Sequence, residues 1–383
     1  AFYHRALGKA RIPTAMRFRL LAADAAAGTL YLCRTEAYAT RGFASPDGLD
    51  RQLVDACGPF YDWATIDPVL GEAELETFAG DMQYQGEWQV RAARYLLEHG
   101  GWDLHYSHWH LFDLINHPTV NAADPEGPDY DPERGAWMMA CQRRTYQVGD
   151  TVLGQFLEQV ADDNTIVCVT SDHGMAPAHR WGDVPTLLAE KGLLVYQPDG
   201  RTVAWSRSVA YTQNDRGSEV YVNLRGREPM GIVPPDQYER VQEAIIDALL
   251  EWRDPGTGKR PIALALKLQD AQIIGYWGTE NGDVVLTFNR GYGWGPPLDG
   301  KSAGPGRGAL HGSQIPPSET KYFTNMVCVI LAGPGIKIGY ERDWQQRGLM
   351  RMVDLAPTVA HLLGLRPPKH STGAVLSDLL DRW

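Results

Sequence analysis

Three short stretches of this chain carry residue types that bind metal ions. FDLINH places Asp113 and His117 four apart. Residues i and i+4 share one face of a helix, so a carboxylate and an imidazole there can share one cation. SDHGM sets Asp172 and His173 side by side at the end of the apolar run TIVCVT. Neighbours in extended chain point opposite ways, so both reach one ion only across a sharp turn, which Gly174 would permit. Alternatively the two contact two ions, or one ligates while the other orients. ALHGS offers His311 among small neighbours that let a ligand approach closely. An Asp-x-x-x-His pair or a His-Gly pair alone is common; Ser-Asp-His-Gly-Met after a β-branched strand is far more specific. Together these five residues would complete most of a two-metal site. Mixed Asp and His ligands suit Zn²⁺, with Mn²⁺ as the alternative.

The segments around them must place these side chains. Arg17 to Ala22 and Thr29 to Cys33 read as two strands joined by a small loop. Residues 73–99 have helical spacing through Trp88, Ala92, Tyr95 and Leu96, ended by Gly100-Gly101. WDLHYSHWHLFD reads as a strand running into a loop, followed by an acidic, proline-rich loop over 121–134. A long helix over 136–160 turns at Asp162-Asp163-Asn164 into the strand Thr165 to Thr170. That helix–turn–strand order is an α/β signature, in which functional groups gather beyond the carboxyl ends of strands. Over 200–305 come the strand fragments EVYVNL, ALALKL and DVVLTF and an amphipathic helix from Asp236 to Trp252. This texture reads as an insertion, and GYGWGPPLDGKSAGPGRGALHGS as an ordered but mobile loop. A strand from Met326 to Leu331, the turn GPGIKIGY and a C-terminal helix capped by Asp354, with Pro357 in its first turn, close the chain.

Composition narrows the classes. The 383 residues are 44% hydrophobic and 22% charged, which excludes disorder, collagen and coiled coil as the main state. Lysine and arginine number 36 against 47 acidic residues, a balance of −11. General nucleic-acid binders and anionic-membrane binders lean basic, so neither is expected. An anionic substrate would need a local positive feature such as a metal. No apolar stretch approaches the roughly 20 residues of a membrane span. Five cysteines without CxxC spacing make no disulfide framework, and Cys168 and Cys328 read as small buried hydrophobes. Free cysteines favour the cytoplasm. The opening AFYHRALGKAR, without an initiator methionine, reads as a processed product or a fragment.

Other residues have two readings each. If the stretch before Asp113 is extended, His108 and His110 face away from Trp109, and His108 is the one placed to support a site. His179, close behind the SDHGM loop, is a candidate to touch a substrate phosphate. Arg180, Arg290, Lys301 and Arg307 are candidate anion clamps or ordinary surface cations. Tyr292 and Trp294 would stack on a substrate ring or pack their own loop. The run DPEGPDYDPE reads as solvated loop.

The order D-x-x-x-H, S-D-H-G-M, a large insertion, H-G-S, an apolar strand ending in G-P-G-I, and DLAPTVAHLLGL resembles the alkaline phosphatase superfamily. Within it the chain is most similar to the type I phosphodiesterase/nucleotide pyrophosphatase branch and related phosphohydrolases and phosphomutases, well over 100–383 and loosely over 1–99. The resemblance implies an α/β fold with an alkaline-phosphatase-like sheet core flanked by helices and carrying a cap. It divides the chain into a cap-like or insertion tail (1–99), the first part of the metal-binding core (100–190), the insertion or cap (191–305) and the last part of the core (306–383). It implies that Asp113, His117 and His311 hold one metal, that Asp172 and His173 hold the second, and that Asp354 is a structural cap.

Two pieces that the resemblance leads one to expect are not found: an N-terminal strand bearing a metal-binding Asp, and a Thr or Ser nucleophile after it. They are expected upstream of Ala1 or in a partner chain. Three functions follow. The first is a metal-dependent hydrolase of a small phosphodiester or phosphomonoester. The second is a phosphomutase whose cap, over 185–305, excludes water. The third is a non-catalytic metal-binding or assembly subunit.

Overall fold

Apolar side chains recur at helical spacing in two long stretches, and each forms one long helix. The computed structural model describes residues 12–61, 66–213, 219–276, 278, 280–312 and 324–381. The opening AFYHRALGKAR and Ser313 lie outside the described residues. Strands β1 (Thr14–Ala15) and β4 (Tyr38–Ala39) pair with each other, and β2 (Phe18–Asp24) and β3 (Thr29–Arg34) form the expected hairpin. Helix α1 (Leu49–Cys57) follows, then α2 (Glu72–Gly100), α3 (Leu111–Ala123) and α4 (Pro132–Gln159). In α2 the buried stripe is Leu75, Phe78, Ala79, Met82, Val90 and Ala93; in α4 it is Met138, Cys141, Thr145, Val148 and Val152. Gly101, at φ 63°, ends α2 by donating to the carbonyls of Leu96 and Leu97. Asp131 accepts from Arg134 N at 2.7 Å and Pro132 fills the first position of α4.

These helices meet at glycines. A Cβ on Gly86 would lie 2.8 Å from both Trp109 and Val152, and one on Gly149 would lie 2.6 Å from Phe112. A mid-helix glycine costs about 1 kcal/mol against alanine, and here it lets α3 and the chain leading into it lie flat against α2 and α4. Residues 101–110 are not the expected strand. Among the described residues no ladder partner reaches them; tryptophan indoles pin them instead, Trp102 Nε1 to Ala93 O at 3.1 Å and Trp109 Nε1 to Gln85 Oε1 at 3.1 Å.

After α4 comes β5 (Val167–Thr170), then β6 (Arg180–Gly182) and α5 (Val184–Glu190). The insertion contains β7 (Ala210–Tyr211), β8 (Glu219–Val222), α6 (Tyr238–Glu251), β9 (Ile262–Lys267) and β10 (Val284–Phe288). Its strands form an antiparallel sheet in the order β7-β8-β10-β9. A buried apolar cluster with members from Val184 to Ala303 lies between that sheet and α6. β11 (Tyr292–Trp294) and β12 (Ala303–Pro305) then flank β6, parallel and antiparallel respectively. The glycine-rich stretch read as a mobile loop carries two three-residue strands, joined by turns and bends. Its glycines admit backbone contact, since a Cβ on Gly306 would meet Ala178 O at 2.6 Å. β13 (Val329–Ala332), α7 (Trp344–Arg347) and α8 (Leu355–Leu362) complete the chain. Asp354 sits at the start of α8, but its carboxylate accepts from Arg351 N and Ala374 N, both at 2.9 Å.

The arrangement is mixed α/β with several small sheets. Among the described residues the sheet that carries the SDHGM loop has two strands, β5 and β13, paired antiparallel with Leu331 opposite Cys168. Apolar runs such as VCVT and VILA suit strands covered on both faces. Here every second residue stays exposed, Ile330 at 56%. The expectation of buried Cys168 and Cys328 is accordingly corrected: both are exposed, whereas Cys33, Cys57 and Cys141 are buried. No helix among the described residues is long and apolar enough to cross a membrane.

The insertion is pinned at its base by Asp254, whose side chain is 0% exposed. It accepts from Arg180 Nε at 2.6 Å and Nη2 at 2.5 Å, Gly256 N at 2.9 Å, Tyr292 Oη at 2.8 Å and Thr257 Oγ1 at 3.1 Å. Burial would push this carboxyl up, but Arg180, the Gly256 amide and the two hydroxyls outweigh it and hold it down at about 2.

Two outcomes follow. Asp254→Ala strands the Arg180 charge and should cost about 3–5 kcal/mol in urea unfolding. The contribution of Asp254 is complete above its ordinary value of 3.8 and fades as the pH falls toward about 2. Ellman's reagent should modify Cys168 and Cys328 in the native protein and the other three only after unfolding. The Cys168 thiol is raised by partial desolvation, which slows its reaction. Equal reaction of all five would contradict the packing described.

Candidate metal centre

Helix α3 begins where Leu111, Ile115 and Thr119 turn inward, and this leaves Asp113 and His117 on a second face. Asn121, one turn further along that face, grips the SDHGM loop: its Nδ2 donates to Ala178 O at 3.0 Å and its Oδ1 accepts from Ala178 N at 2.7 Å. The segment after β12 is held to the same helix. Ala309 N donates to His117 O at 3.0 Å, and a Cβ on Gly308 would lie 2.6 Å from that oxygen. Ala176 pairs with Leu310 in a short bridge, and Trp294 Nε1 donates to His311 O at 3.0 Å. Gly174, expected to supply a sharp turn, instead gives room: its N–H donates to Thr324 O at 2.7 Å, and a Cβ there would strike Met326 O.

Four of the expected residues converge. His117 Nε2, His311 Nε2 and His173 Nε2 stand 3.3, 3.7 and 3.9 Å from Asp113 Oδ1. The rings of His173 and His311 are stacked at 3.6 Å and 11°. Ligating atoms of Asp113, His173 and His311 all lie within 4.8 Å of one another. Asp172 is at the edge, 62% exposed, with Oδ2 3.6 Å from His173 Nε2.

Hydrogen bonding sets the direction of the imidazoles. His117 Nδ1 lies 2.8 Å from Ala309 O, and His173 Nδ1 lies 2.9 Å from Gly174 O. A carbonyl only accepts, so each Nδ1 carries the proton and each Nε2 turns a lone pair inward. Asp113 Oδ1 is buried with no donor aligned on it. Lone pairs thus face a carboxylate oxygen, an arrangement that a cation between them relieves, and Nδ1–H donation to a carbonyl is the usual support of a ligating histidine. Burial alone would raise the Asp113 carboxyl; when the rings are protonated instead, a hydrogen bond and charge from His117, with the charges of His311 and His173, hold it below the ordinary carboxylate value, so protons there play the part of a cation. These residues fit a divalent ion.

The remaining candidates are elsewhere. His179 Nε2 bonds to Asp124 Oδ2 at 3.0 Å, so an incoming phosphate would meet its Nδ1; Asp124 is accordingly not mere solvated loop. Arg180 is taken by Asp254, Arg290 pairs with Glu126 at 2.8 Å and Lys301 approaches Asp299 at 3.9 Å. Arg307, exposed between Gly306 and Gly308, has no ion pair among the described residues. Tyr292 is buried against Asp254, and Trp294 is a backbone prop for His311. His105 packs between Trp102 and Phe156. Ser171 and Thr324, hydroxyls on the same loops, donate to the carbonyls of His173 and Gly312. Asn121 was not anticipated, although its i+8 spacing from Asp113 marks the shared face.

Residues 34–296 match the family described as type I phosphodiesterase / nucleotide pyrophosphatase. The chain belongs to that family. The matched span includes Asp113, His117, Asp172 and His173 and stops short of His311. No curated protein matches significantly. Among solved structures, a variant of the alkaline phosphatase PafA aligns at 14% identity and a TM-score of 0.41, over 70% of this chain and 46% of that one. The chain therefore spans less than half the length of that relative.

Because each Nε2 must be unprotonated to ligate, protons compete with the ion as the pH falls. Zn²⁺ affinity, read by competition with a fluorescent chelator, should be at least about tenfold weaker near pH 5.5 than near pH 7.5. An affinity independent of pH would exclude the histidines as ligands.

Proposed function

We propose that this chain is the metal-holding part of a phosphoesterase that hydrolyses a small phosphodiester or phosphomonoester at a two-ion site. Asp113, His117 and His311 would hold one ion, and Asp172 and His173 the other, with Zn²⁺ the first choice and Mn²⁺ the alternative. The observation that carries this reading is Asp113 Oδ1, buried without an aligned donor and ringed by three imidazole nitrogens at 3.3–3.9 Å. Bound ions would supply the positive charge that phosphoryl oxygens need, against a chain balance of −11.

The chain's own residues do the positioning. The Ala309 and Gly174 carbonyls keep the His117 and His173 lone pairs inward. Arg307 offers a guanidinium beside the segment that touches His117, suited to a phosphate oxygen. His179, steadied by Asp124, offers Nδ1. The nucleophile would come from an upstream segment or a partner chain. Two features support this: Ser171 and Thr324 spend their hydroxyls on backbone carbonyls, and the apolar faces of β5 and β13 are left half covered.

The test pairs metal analysis with turnover of bis(p-nitrophenyl) phosphate and p-nitrophenyl phosphate. Zn- or Mn-loaded protein should cleave at least one of them, and Asp113→Ala should lose both the metal and the activity. Arg307→Ala should raise KM with little change in kcat, since it removes binding charge rather than a reacting group. Metal without turnover of either ester would favour the assembly-subunit reading. Turnover unaffected by EDTA would end the metal reading.

A further inference from the structure

We propose that His108 is a ligand of the second ion, alongside Asp172 and His173. The inference rests on the reading that the cluster holds metal, and adds a residue from this chain to the half of the site that has the fewest ligands. His108 Nε2 lies 3.9 Å from Asp172 Oδ2, which lies 3.6 Å from His173 Nε2. Two ligands of one tetrahedral ion, each bound at about 2.0–2.1 Å, are separated by about 3.4 Å. The spacing around Asp113, 3.3 to 3.9 Å, is of the same size. Ligating atoms thus run in a chain from His117 through Asp113 and His173 to Asp172 and His108, long enough for two ions.

The placement of His108 is built into the fold. Gln85 and Gln89, one turn apart on α2, hold two successive residues of the incoming segment: Gln85 Oε1 accepts from Trp109 Nε1, and Gln89 Nε2 donates to His108 O at 3.1 Å. The backbone of His108 is thereby held at the mouth of the cluster, with its ring half exposed. A loose surface ion pair between His108 and Asp172 would need no such support for the backbone.

The experiment loads the purified chain with Co²⁺ and measures ions per chain by elemental analysis, together with the visible absorption of the bound cobalt. The wild type should hold two. His108→Ala should hold close to one, with the second ion at least about 100-fold weaker, beyond the 10–100-fold typical of residues that only support a ligand. His110→Ala, whose ring lies 4.4 Å from that of His108, should still hold two. A single ion in the wild type, an unchanged stoichiometry and spectrum in His108→Ala, or an equal loss in His110→Ala each overturns the proposal and leaves the Asp113 centre standing. No ion in the wild type overturns the underlying reading as well.

Discussion

The ring of His311 can lie on the ring of His173 only if the chain, having left the SDHGM loop, returns to it after about 140 residues. Loop length itself is a mild obstacle, about 0.6 kcal/mol for each doubling. Direction is the harder requirement, and β6 meets it by taking β11 on one edge and β12 on the other. The insertion leaves through β6 and comes back through its two neighbours, so entry and exit are hydrogen-bonded together. Asp254 reinforces that joint from inside the insertion by gathering Arg180 of β6 and Tyr292 of β11 onto one buried carboxylate.

The centre is electrostatically one-sided. Backbone carbonyls orient His117 and His173, and the same orientation turns their lone pairs toward Asp113. In an acidic chain no lysine or arginine forms an ion pair with Asp113 or Asp172 among the described residues. On the proposed reading, a negative, acceptor-rich pocket would repel phosphate when bare and attract it once cations are present. Metal loading and substrate binding are therefore expected to occur in that order.

Local patterns were legible in the sequence; long-range partners were not. The β2–β3 hairpin and α2 with its glycine stop follow from periodicity and caps that span a few residues, whereas α4 starts at Pro132, inside the stretch expected as loop. Asp113 and His117 were readable for the same reason. Residues 101–110 misled because chain pinned by tryptophan indoles has the composition of a strand, and its anchor Gln85 lies on another element. The glycines of 291–312 disguised β11 and β12, since strands that need close backbone approach give up the side chains that usually mark strands. Arg180 looked like an anion clamp because its partner Asp254 is far away in sequence. Cys168 and Cys328 looked buried because their runs are apolar, and the structure leaves those runs without a second layer.

The shared joint also ties the insertion to the centre thermodynamically. Proteins open in cooperative units, and a unit that contains a ligand is stabilised by whatever binds that ligand. His311 follows directly from β12, and β12 is laced to β6 and through it to the insertion core. An ion held at His311, as proposed, would therefore slow amide hydrogen exchange in β6, β11 and β12, well away from any ligating atom. By the same linkage, a change that loosens the insertion speeds release of the ion. On the proposed metal reading, residues 191–305 would act as a latch on metal retention, quite apart from any cover they would give a substrate.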